Sequence, residues 1–230
     1  MRRLNSLTQV YLRASAKLAS GTLLKEQSSA SCLNMSDEAT NLALTELQKR
    51  ALLQLARNSI ATQVAGLPLP PPDLRELTEK HNGVFVSLHI SGRLRGCIGY
   101  VEGLRPLAEA VQETAVSAAT RDPRFAPLAA EELDQIAIEI SVLSPLRQIE
   151  SPAEIILGKH GVMVRLGHHQ GLLLPQVALH YNWEATPPGV ETFLAHVCQK
   201  AGLPADGWKD PDAEIYIFEA EIFSAPPPAE

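Results

Sequence analysis

The most constraining stretch of the sequence is VFVSLHISGRLRGCIGYV, residues 84–101, in which two alternating segments flank a Ser-Gly pair. In the first segment Val86 and Leu88 share one face, and Ser87 and His89 share the other. Alternation with a period of two is typical of a half-buried strand, and a Ser-Gly pair is a turn signal. The pattern therefore predicts a β-hairpin, which requires further strands or helices to cover its apolar face.

Two patterns disagree on the register of this hairpin. A two-residue turn would place Arg95 and Cys97 on the apolar face of the first strand. A shift of one residue instead pairs the apolar sets and moves Cys97 beside Ser87. A β-bulge near Gly96 satisfies both patterns, since a glycine inside a strand often marks a bulge, and we favour that arrangement.

Helical and strand-like segments are interspersed along the remainder of the chain. Alternation predicts a strand at 136–142, a second hairpin at 161–174 with its turn at Gly167–Gly171, and a long closing strand at 214–223. Apolar periodicity and capping residues predict helices from Ser36 or Asp37 to about residue 64, and at 74–79, 106–120, 175–182 and 190–201. Helices mixed with antiparallel hairpins predict an α+β fold, with a mixed, mainly antiparallel sheet and packed helices.

The first 34 residues differ in composition from the rest of the chain. They are rich in Arg, Lys, Ser, Ala and Leu, and the first acidic residue is Glu26. This composition is typical of an organellar transit peptide, but Met35 also looks like a natural start, preceded by translated upstream sequence. We therefore assign 1–34 to a disordered leader, 35–224 to one domain and 225–230 to a disordered tail. The expected location is the cytoplasm, or an organelle if the leader is a transit peptide.

Composition argues against several classes of function. The net charge of −6 and the pI near 5.7 disfavour nucleic-acid binding, which needs clustered basic residues. No apolar run approaches the roughly 20 residues of a membrane span. The three cysteines are far apart, which argues against a disulfide framework or a zinc site. His168 and His169 are adjacent and would point to opposite faces of a strand, so we expect no metal, and no cofactor is indicated.

Seven stretches of this chain resemble the AMMECR-domain family, in the order that the family has them. The hallmark is LRGCIG at 94–99. The others are GVFVSL, DPRF, EISVLSP, GKHGVMV, GLLLPQVA and DPDAEIYIFEAEIF. The resemblance covers roughly residues 40–223. It implies two subdomains around a cleft. It also implies a role as component A of the AmmeMemoRadiSam system of bacteria and archaea, whose partners are a Memo-type protein and a radical-SAM protein.

Cys97 is the first candidate for chemistry. A free thiol titrates near 8.5, so a nucleophilic cysteine needs a nearby cation or base. His160, in a glycine-bounded turn, is the candidate base, and Glu139 could orient that imidazole. Five polar residues are candidate ligand contacts: Arg95, Arg124, Lys159, Ser141 and Gln176.

A purely structural reading competes with this chemistry. Free cysteine is among the most buried residue types and usually packs as a small hydrophobe. Gly96 and Gly99 would then serve the close approach of a helix. The family resemblance names no reaction, so catalysis remains open. The preferred hypothesis is a component that binds a small ligand or a modified peptide in a cleft for partner proteins, and the alternative is a thiol-dependent transferase or hydrolase that uses Cys97.

Overall fold

The structure is a computed structural model that describes residues 43–68, 74, 80–183 and 188–228. The leader, the predicted helix start at Ser36 or Asp37, and all but Leu74 of the short helix predicted at 74–79 lie outside the described residues. Within them the chain forms helices and two antiparallel sheets, which confirms the predicted α+β class. The helices are α1 (Glu46–Ala65), α2 (Leu107–Thr120), α3 (Pro175–His180) and α4 (Gly189–Lys200). The strands are β1 (Val84–Ile90), β2 (Arg93–Tyr100), β3 (Ile136–Leu143), β4 (Arg147–Ile149), β5 (Gly161–Leu166), β6 (His169–Leu173), β7 (Glu214–Phe218) and β8 (Ala220–Ala225).

Helix α1 begins at Glu46 after the capping residue Thr45, so the continuous helix predicted from Ser36 or Asp37 is wrong over the described residues 43–45. Thr45 accepts a hydrogen bond from the Gln48 backbone N–H, and the Gln48 side chain accepts one from the Thr45 backbone N–H. This reciprocal arrangement satisfies two N–H groups that have no partner within the helix. Gly66 ends the helix in the left-handed conformation, with φ of 66°. The predicted end near residue 64 is thus confirmed.

The first sheet, sheet A, has the strand order β2-β1-β3-β8. Leu88 pairs with Gly96 and His89 pairs with Leu94, so Arg95 is the extra residue of a β-bulge on β2. The predicted bulge is confirmed, and it places Cys97 opposite Ser87. Gly96 is required there because a Cβ atom at this position would lie 2.1 Å from the carbonyl oxygen of Ala118 on α2.

The second sheet, sheet B, has the strand order β4-β7-β5-β6. The predicted closing strand at 214–223 is wrong as one element, because β7 pairs in sheet B and β8 pairs with β3 in sheet A. The chain crosses between the sheets at Glu219, whose backbone N–H donates to Ser144 Oγ at 2.9 Å. The turn predicted at Gly167–Gly171 is also too long, because His169 already pairs with Leu166 in β6.

Three apolar clusters place the elements in layers. Helices α1 and α2 cover one face of sheet A, and α3 and α4 pack on one face of sheet B. A third cluster joins the remaining faces of the two sheets. Its buried members are Phe85, Cys97, Val101, Leu143, Met163, Leu172 and Phe218. The inter-sheet region defined by this cluster therefore holds the cysteine of the LRGCIG motif.

Candidate functional site

The inter-sheet face of sheet A carries polar side chains beside its apolar ones. Cys97 on β2 pairs with Ser87 on β1, Ser87 pairs with Glu139 on β3, and Glu139 pairs with Ser224 on β8. These four residues form a polar row that crosses all four strands. Side chains directly opposite each other on neighbouring strands are about 5 Å apart, so each member can contact only the next.

Cys97 is a buried thiol in this row, with 6% of its surface exposed. The Ser87 hydroxyl donates a hydrogen bond to Cys97 Sγ at 3.1 Å. Burial raises the pKa of the Cys97 thiol and outweighs the opposite effects of Ser87 and of the Lys200 and Arg124 charges. The thiol therefore stays protonated at neutral pH, and nucleophilic use would need a change in its surroundings.

The backbone of Cys97 is held by Asp122, which follows α2. Asp122 Oδ2 accepts from the Cys97 N–H at 2.9 Å and from Arg124 Nη2 at 2.6 Å, and Asp122 Oδ1 accepts from Arg124 Nε at 2.9 Å. Burial alone would raise the pKa of Asp122, but these hydrogen bonds and the guanidinium lower it below its ordinary value. Arg124 Nη2 also donates to the Cys97 carbonyl oxygen at 3.3 Å, so both residues are tied to the cysteine.

Lys200, the last residue of α4, brings a second cation to Cys97. Burial lowers the pKa of the Lys200 amine to about 8; Cys97 opposes this decrease, and the Arg124 charge adds to it. Lys200 is partly exposed to solvent as a residue. No hydrogen bond or ion pair joins Lys200 Nζ to another residue of the described part of the chain.

The last turn of α4 is held close to β6, which positions Lys200. A Cβ atom at Gly171 would lie 2.6 Å from the Ala201 backbone nitrogen and 2.7 Å from the Val197 carbonyl oxygen, so only glycine permits this approach. His169 Nδ1 lies 3.2 Å from the Ala201 carbonyl oxygen. Strand β6 is the edge of sheet B and β2 is the edge of sheet A. Cys97 on β2 and Leu172 on β6 belong to the same apolar cluster between the sheets.

Ser141 and Gln176 join the two sheets at a second polar contact. Gln176 Nε2 donates to Ser141 Oγ at 3.4 Å, and Ser141 lies on β3 two residues from Glu139. Gln176 Oε1 is buried and accepts no hydrogen bond within the described residues. A buried acceptor without a donor costs free energy, so this oxygen is suited to a ligand hydroxyl or N–H group.

Arg95 was predicted as a ligand contact, but it does not line this site. As the bulged residue it turns away from the inter-sheet face. Its Nε and Nη2 donate to the two carboxylate oxygens of Glu132, both at 2.8 Å, and Nη1 donates to the Ala126 carbonyl oxygen at 2.9 Å. Arg95 thus anchors β2 to the segment after α2.

His160 and Lys159 are also placed elsewhere. His160 Nδ1 accepts from the Ile156 N–H at 3.1 Å, within its own turn, and burial and the Lys159 charge lower the pKa of the ring. Lys159 pairs with Glu219 at 3.2 Å. No hydrogen bond joins His160 to Cys97 in the described structure, so the predicted nucleophile–base pair is not assembled.

Glu139 is on the predicted face but cannot orient a base for Cys97. Ser87 lies between them, and two strand spacings separate Glu139 from Cys97 by about 10 Å. Its carboxylate makes no hydrogen bond or ion pair with any described residue. Glu139 therefore remains an acidic group that a ligand cation or hydroxyl could contact.

Lys200 and Asp122 are the residues that sequence reasoning missed as site members. A lysine in the last turn of a helix is ordinary, because it complements the helix dipole, and gave no signal of function. Asp122 belongs to the DPRF stretch, and its bond to the Cys97 N–H depends on tertiary packing that the sequence does not reveal.

Two surface concavities lie away from the cysteine. One, of about 320 Å³, is on the outer face of α2, between Arg105 and Arg121. The other, of about 310 Å³, is lined by 81–83, 101–103 and 143–146. No group of three or more His, Cys, Asp or Glu in the described residues is arranged to hold a metal ion. None of the described helices combines the length and apolarity of a bilayer span.

Comparisons with known proteins agree on one family. The AMMECR1 family model matches residues 53–223. A protein of Methanothermobacter thermautotrophicus is 46% identical over 189 residues, covering 78% of this chain and 95% of that protein. A protein of Methanopyrus kandleri is 44% identical, with 80% and 92% covered. The crystal structure of an uncharacterised protein of Pyrococcus horikoshii is similar at a TM-score of 0.71 and 39% identity, covering 79% of this chain and 93% of that one.

Proposed function

Because the chain belongs to the AMMECR1 family, we propose that it is a ligand-binding component. In this proposal the inter-sheet site around Cys97, Arg124 and Lys200 holds the anionic group of a small ligand or a modified peptide. The bound ligand is presented to partner enzymes, a Memo-type protein and a radical-SAM protein.

The observation that carries the proposal is an excess of positive charge around Cys97, since the charges of Lys200 and Arg124 both act on this thiol. Asp122 alone neutralises Arg124, and no acidic group pairs with Lys200 within the described residues. A cation that loses part of its hydration on folding is disfavoured unless an opposite charge compensates for that loss. A carboxylate or phosphate bound there would supply that charge.

The remaining polar groups suit the other end of such a ligand. Glu139 and Gln176 Oε1 are acceptors without a donor among the described residues. They would receive hydroxyl or N–H groups, whereas the cations would hold the anion. A site with both kinds of group favours a polar ligand over an apolar one.

Thermal unfolding in added anions tests this binding. We expect sodium phosphate, compared with sodium chloride at equal ionic strength, to raise the Tm of the wild-type chain, because a ligand that binds only the folded state stabilises it. Lys200→Met should lose the increase. Lys159→Met, which removes an exposed lysine, should keep it. Equal increases in all three proteins would contradict the proposal.

A second experiment tests the partners. Purified Memo-type and radical-SAM proteins from the same organism would be titrated into the chain, with and without a bound anion, and association would be measured by calorimetry. Binding that weakens in Lys200→Met but not in Lys159→Met supports presentation of a ligand at this site. Failure to associate at micromolar concentrations would contradict that part of the proposal.

A further inference from the structure

We propose that His168 and His169 form a binding site for a divalent nickel or copper ion, two metals that imidazole nitrogen binds well. Both histidines lie at the tip of the hairpin formed by β5 and β6. Neither belongs to the cluster between the sheets, so this metal site is separate from the anion site proposed above.

The first support is the contact between the two rings. Alternation along a strand predicts that neighbouring side chains lie on opposite faces. His168, however, lies in the turn after Gly167, whose φ is 59°, and only His169 pairs in β6, with Leu166. The ring centroids are 4.2 Å apart, and the ring planes are inclined by 37°. The turn therefore brings the two imidazoles together.

The second support is that this spacing is close to the spacing of two imidazoles on one metal ion. With a metal–nitrogen distance of about 2.1 Å and ligands about 90° apart, the ring centroids are about 4.6 Å apart. The observed 4.2 Å is only slightly shorter. His168 is exposed, so rotation about its side-chain bonds can supply the difference. A tetrahedral ion needs about 5.3 Å by the same geometry, so the pair favours nickel or copper over zinc.

The third support is the hydrogen bond that orients His169. Its Nδ1 lies 3.2 Å from the carbonyl oxygen of Ala201, which can only accept, so Nδ1 carries the proton. In the neutral ring the lone pair is then on Nε2, which is free to bind a metal. Metal-binding histidines almost always donate their other ring N–H in this way, because the bond fixes the ring and makes the free nitrogen more basic.

The acceptor of this hydrogen bond is itself held in place. The Ala201 N–H donates to the Val197 carbonyl oxygen at 3.0 Å, at the end of α4. Gly171 packs so closely on this turn that a Cβ atom there would lie 2.6 Å from the Ala201 nitrogen. His168 makes no hydrogen bond within the described residues, so one of its ring nitrogens is available as the second ligand. Water or an oxygen atom of another molecule would fill the remaining coordination positions.

Titration of the chain with NiCl₂ tests this site. The protein carries no histidine tag, the pH is 7.5, and binding is measured by calorimetry. His168→Gln and His169→Gln should each weaken binding by at least about tenfold, since loss of an outer-shell partner alone costs roughly 10–100-fold in affinity. His81→Gln, which removes another exposed histidine, is the matched control and should bind nickel as the wild-type chain does.

NMR of the histidine rings locates the ion and tests the role of Ala201. Bound Ni²⁺ is paramagnetic, so the ring signals of His168 and His169 should broaden before those of the other histidines. In the metal-free chain, long-range ¹H–¹⁵N spectra should show His169 with its proton on Nδ1. Circular dichroism should show that His168→Gln, a change at an exposed position, folds as the wild-type chain does.

Three outcomes would overturn this metal site. Nickel affinity in folded His168→Gln equal to that of the wild-type chain would show that the ion binds elsewhere, including at a thiol. Broadening that begins at another histidine would show the same. A proton on Nε2 of metal-free His169 would mean that the nitrogen assigned to the metal is already occupied.

Discussion

Leu88 and Ser87 are neighbours on β1, yet they lie in two different environments. Leu88 points to the face that α1 and α2 cover, where it belongs to an apolar cluster. Ser87 points to the inter-sheet face, where a thiol, hydroxyls and an acid accompany the apolar cluster. One strand therefore supplies both the main core and the candidate site.

The two faces of β1 differ in what packing explains: it accounts for the apolar side chains, but not for the polar groups that have no partner. The helix-covered face is what a stable α+β layer requires, since apolar burial drives folding. The inter-sheet face contains groups that reduce stability unless they are paired. Asp122 and Arg124 are paired, whereas the Lys200 amine and Gln176 Oε1 are not paired within the described residues. These unpaired groups are the basis of the ligand site proposed above.

The largest expected effect comes from the helix-covered face. Leu88 is fully buried, so Leu88→Ala should lower the free energy of unfolding by about 2–5 kcal/mol through lost burial and a cavity. Urea denaturation measures this change. Leu47→Ala, at a position 75% exposed, is the control and should change stability by less than about 0.5 kcal/mol. Similar losses in both variants would contradict the assignment of the core.

The next effect concerns the buried ion pair of the site. Asp122→Ala should cost about 3 kcal/mol, because it leaves the Arg124 charge and the Cys97 N–H without their acceptor. The exposed Asp212 offers a control, since Asp212→Ala should be nearly neutral. The depressed pKa of Asp122 also gives stability that is present above pH 4 and is lost as the pH falls through the folded-state value. If Asp122→Ala and Asp212→Ala have the same free energy of unfolding, the Asp122 carboxylate does not stabilise the fold through Arg124 and the Cys97 N–H.

A smaller effect of opposite sign is expected at Lys200. Its pKa falls from an ordinary value of 10.5 to about 8 on folding, so the charged amine opposes folding at neutral pH. After allowance for solvent screening, Lys200→Met should raise the free energy of unfolding at pH 7 by about 1–3 kcal/mol. Urea denaturation of Lys159→Met, as a control, should show little change.

The pH dependence of this stabilisation has a definite sign. Between about pH 8 and 10.5 the unfolded chain binds the proton that folded Lys200 has lost, so wild-type stability should rise with pH. The advantage of Lys200→Met should shrink across this window and stay constant below it. A destabilised Lys200→Met at pH 7 would show that the amine has a favourable partner.

The smallest effect is expected at the hydroxyl of the polar row. Ser87→Ala removes the donor to Cys97 Sγ and should cost about 1 kcal/mol. It should also raise the pKa of the thiol further, which iodoacetamide labelling against pH, read at the Cys97 peptide, can measure. Burial predicts a wild-type midpoint above the free value of about 8.5. A labelling midpoint that falls in Ser87→Ala, or a wild-type midpoint below the free value, would instead favour Cys97 as a nucleophile.

Local patterns predicted most of the fold. The alternation in β1 and the glycine beside the bulge were sufficient to predict the first hairpin, and alternation also predicted β3. The spacing of apolar side chains along a strand is a local property that the sequence shows directly. The closing strand was predicted as one element because its alternation continues through Glu219. The assignment of its two halves to different sheets depends on tertiary pairing, which that alternation does not encode.

The candidate site was predictable only in part. Cys97 lies between the two sheets, and Ser141 and Gln176, both predicted as ligand contacts, are joined by a hydrogen bond. His160 was predicted as the base because it lies in a glycine-bounded turn. In the structure its Nδ1 accepts a hydrogen bond from the Ile156 N–H of the same turn. Lys200 ends a helix far along the chain from β2, and its proposed role depends on the packing of α4 against β6.

The most direct test is the titration of the Lys200 amine itself. NMR of the chain after ¹³C-methylation of its lysines, with Lys200→Arg to assign the signal, follows this group against pH. The account predicts a midpoint near 8 that moves upward when phosphate is added, because a bound anion favours the charged amine. A midpoint near 10.5 that phosphate leaves unchanged would contradict it.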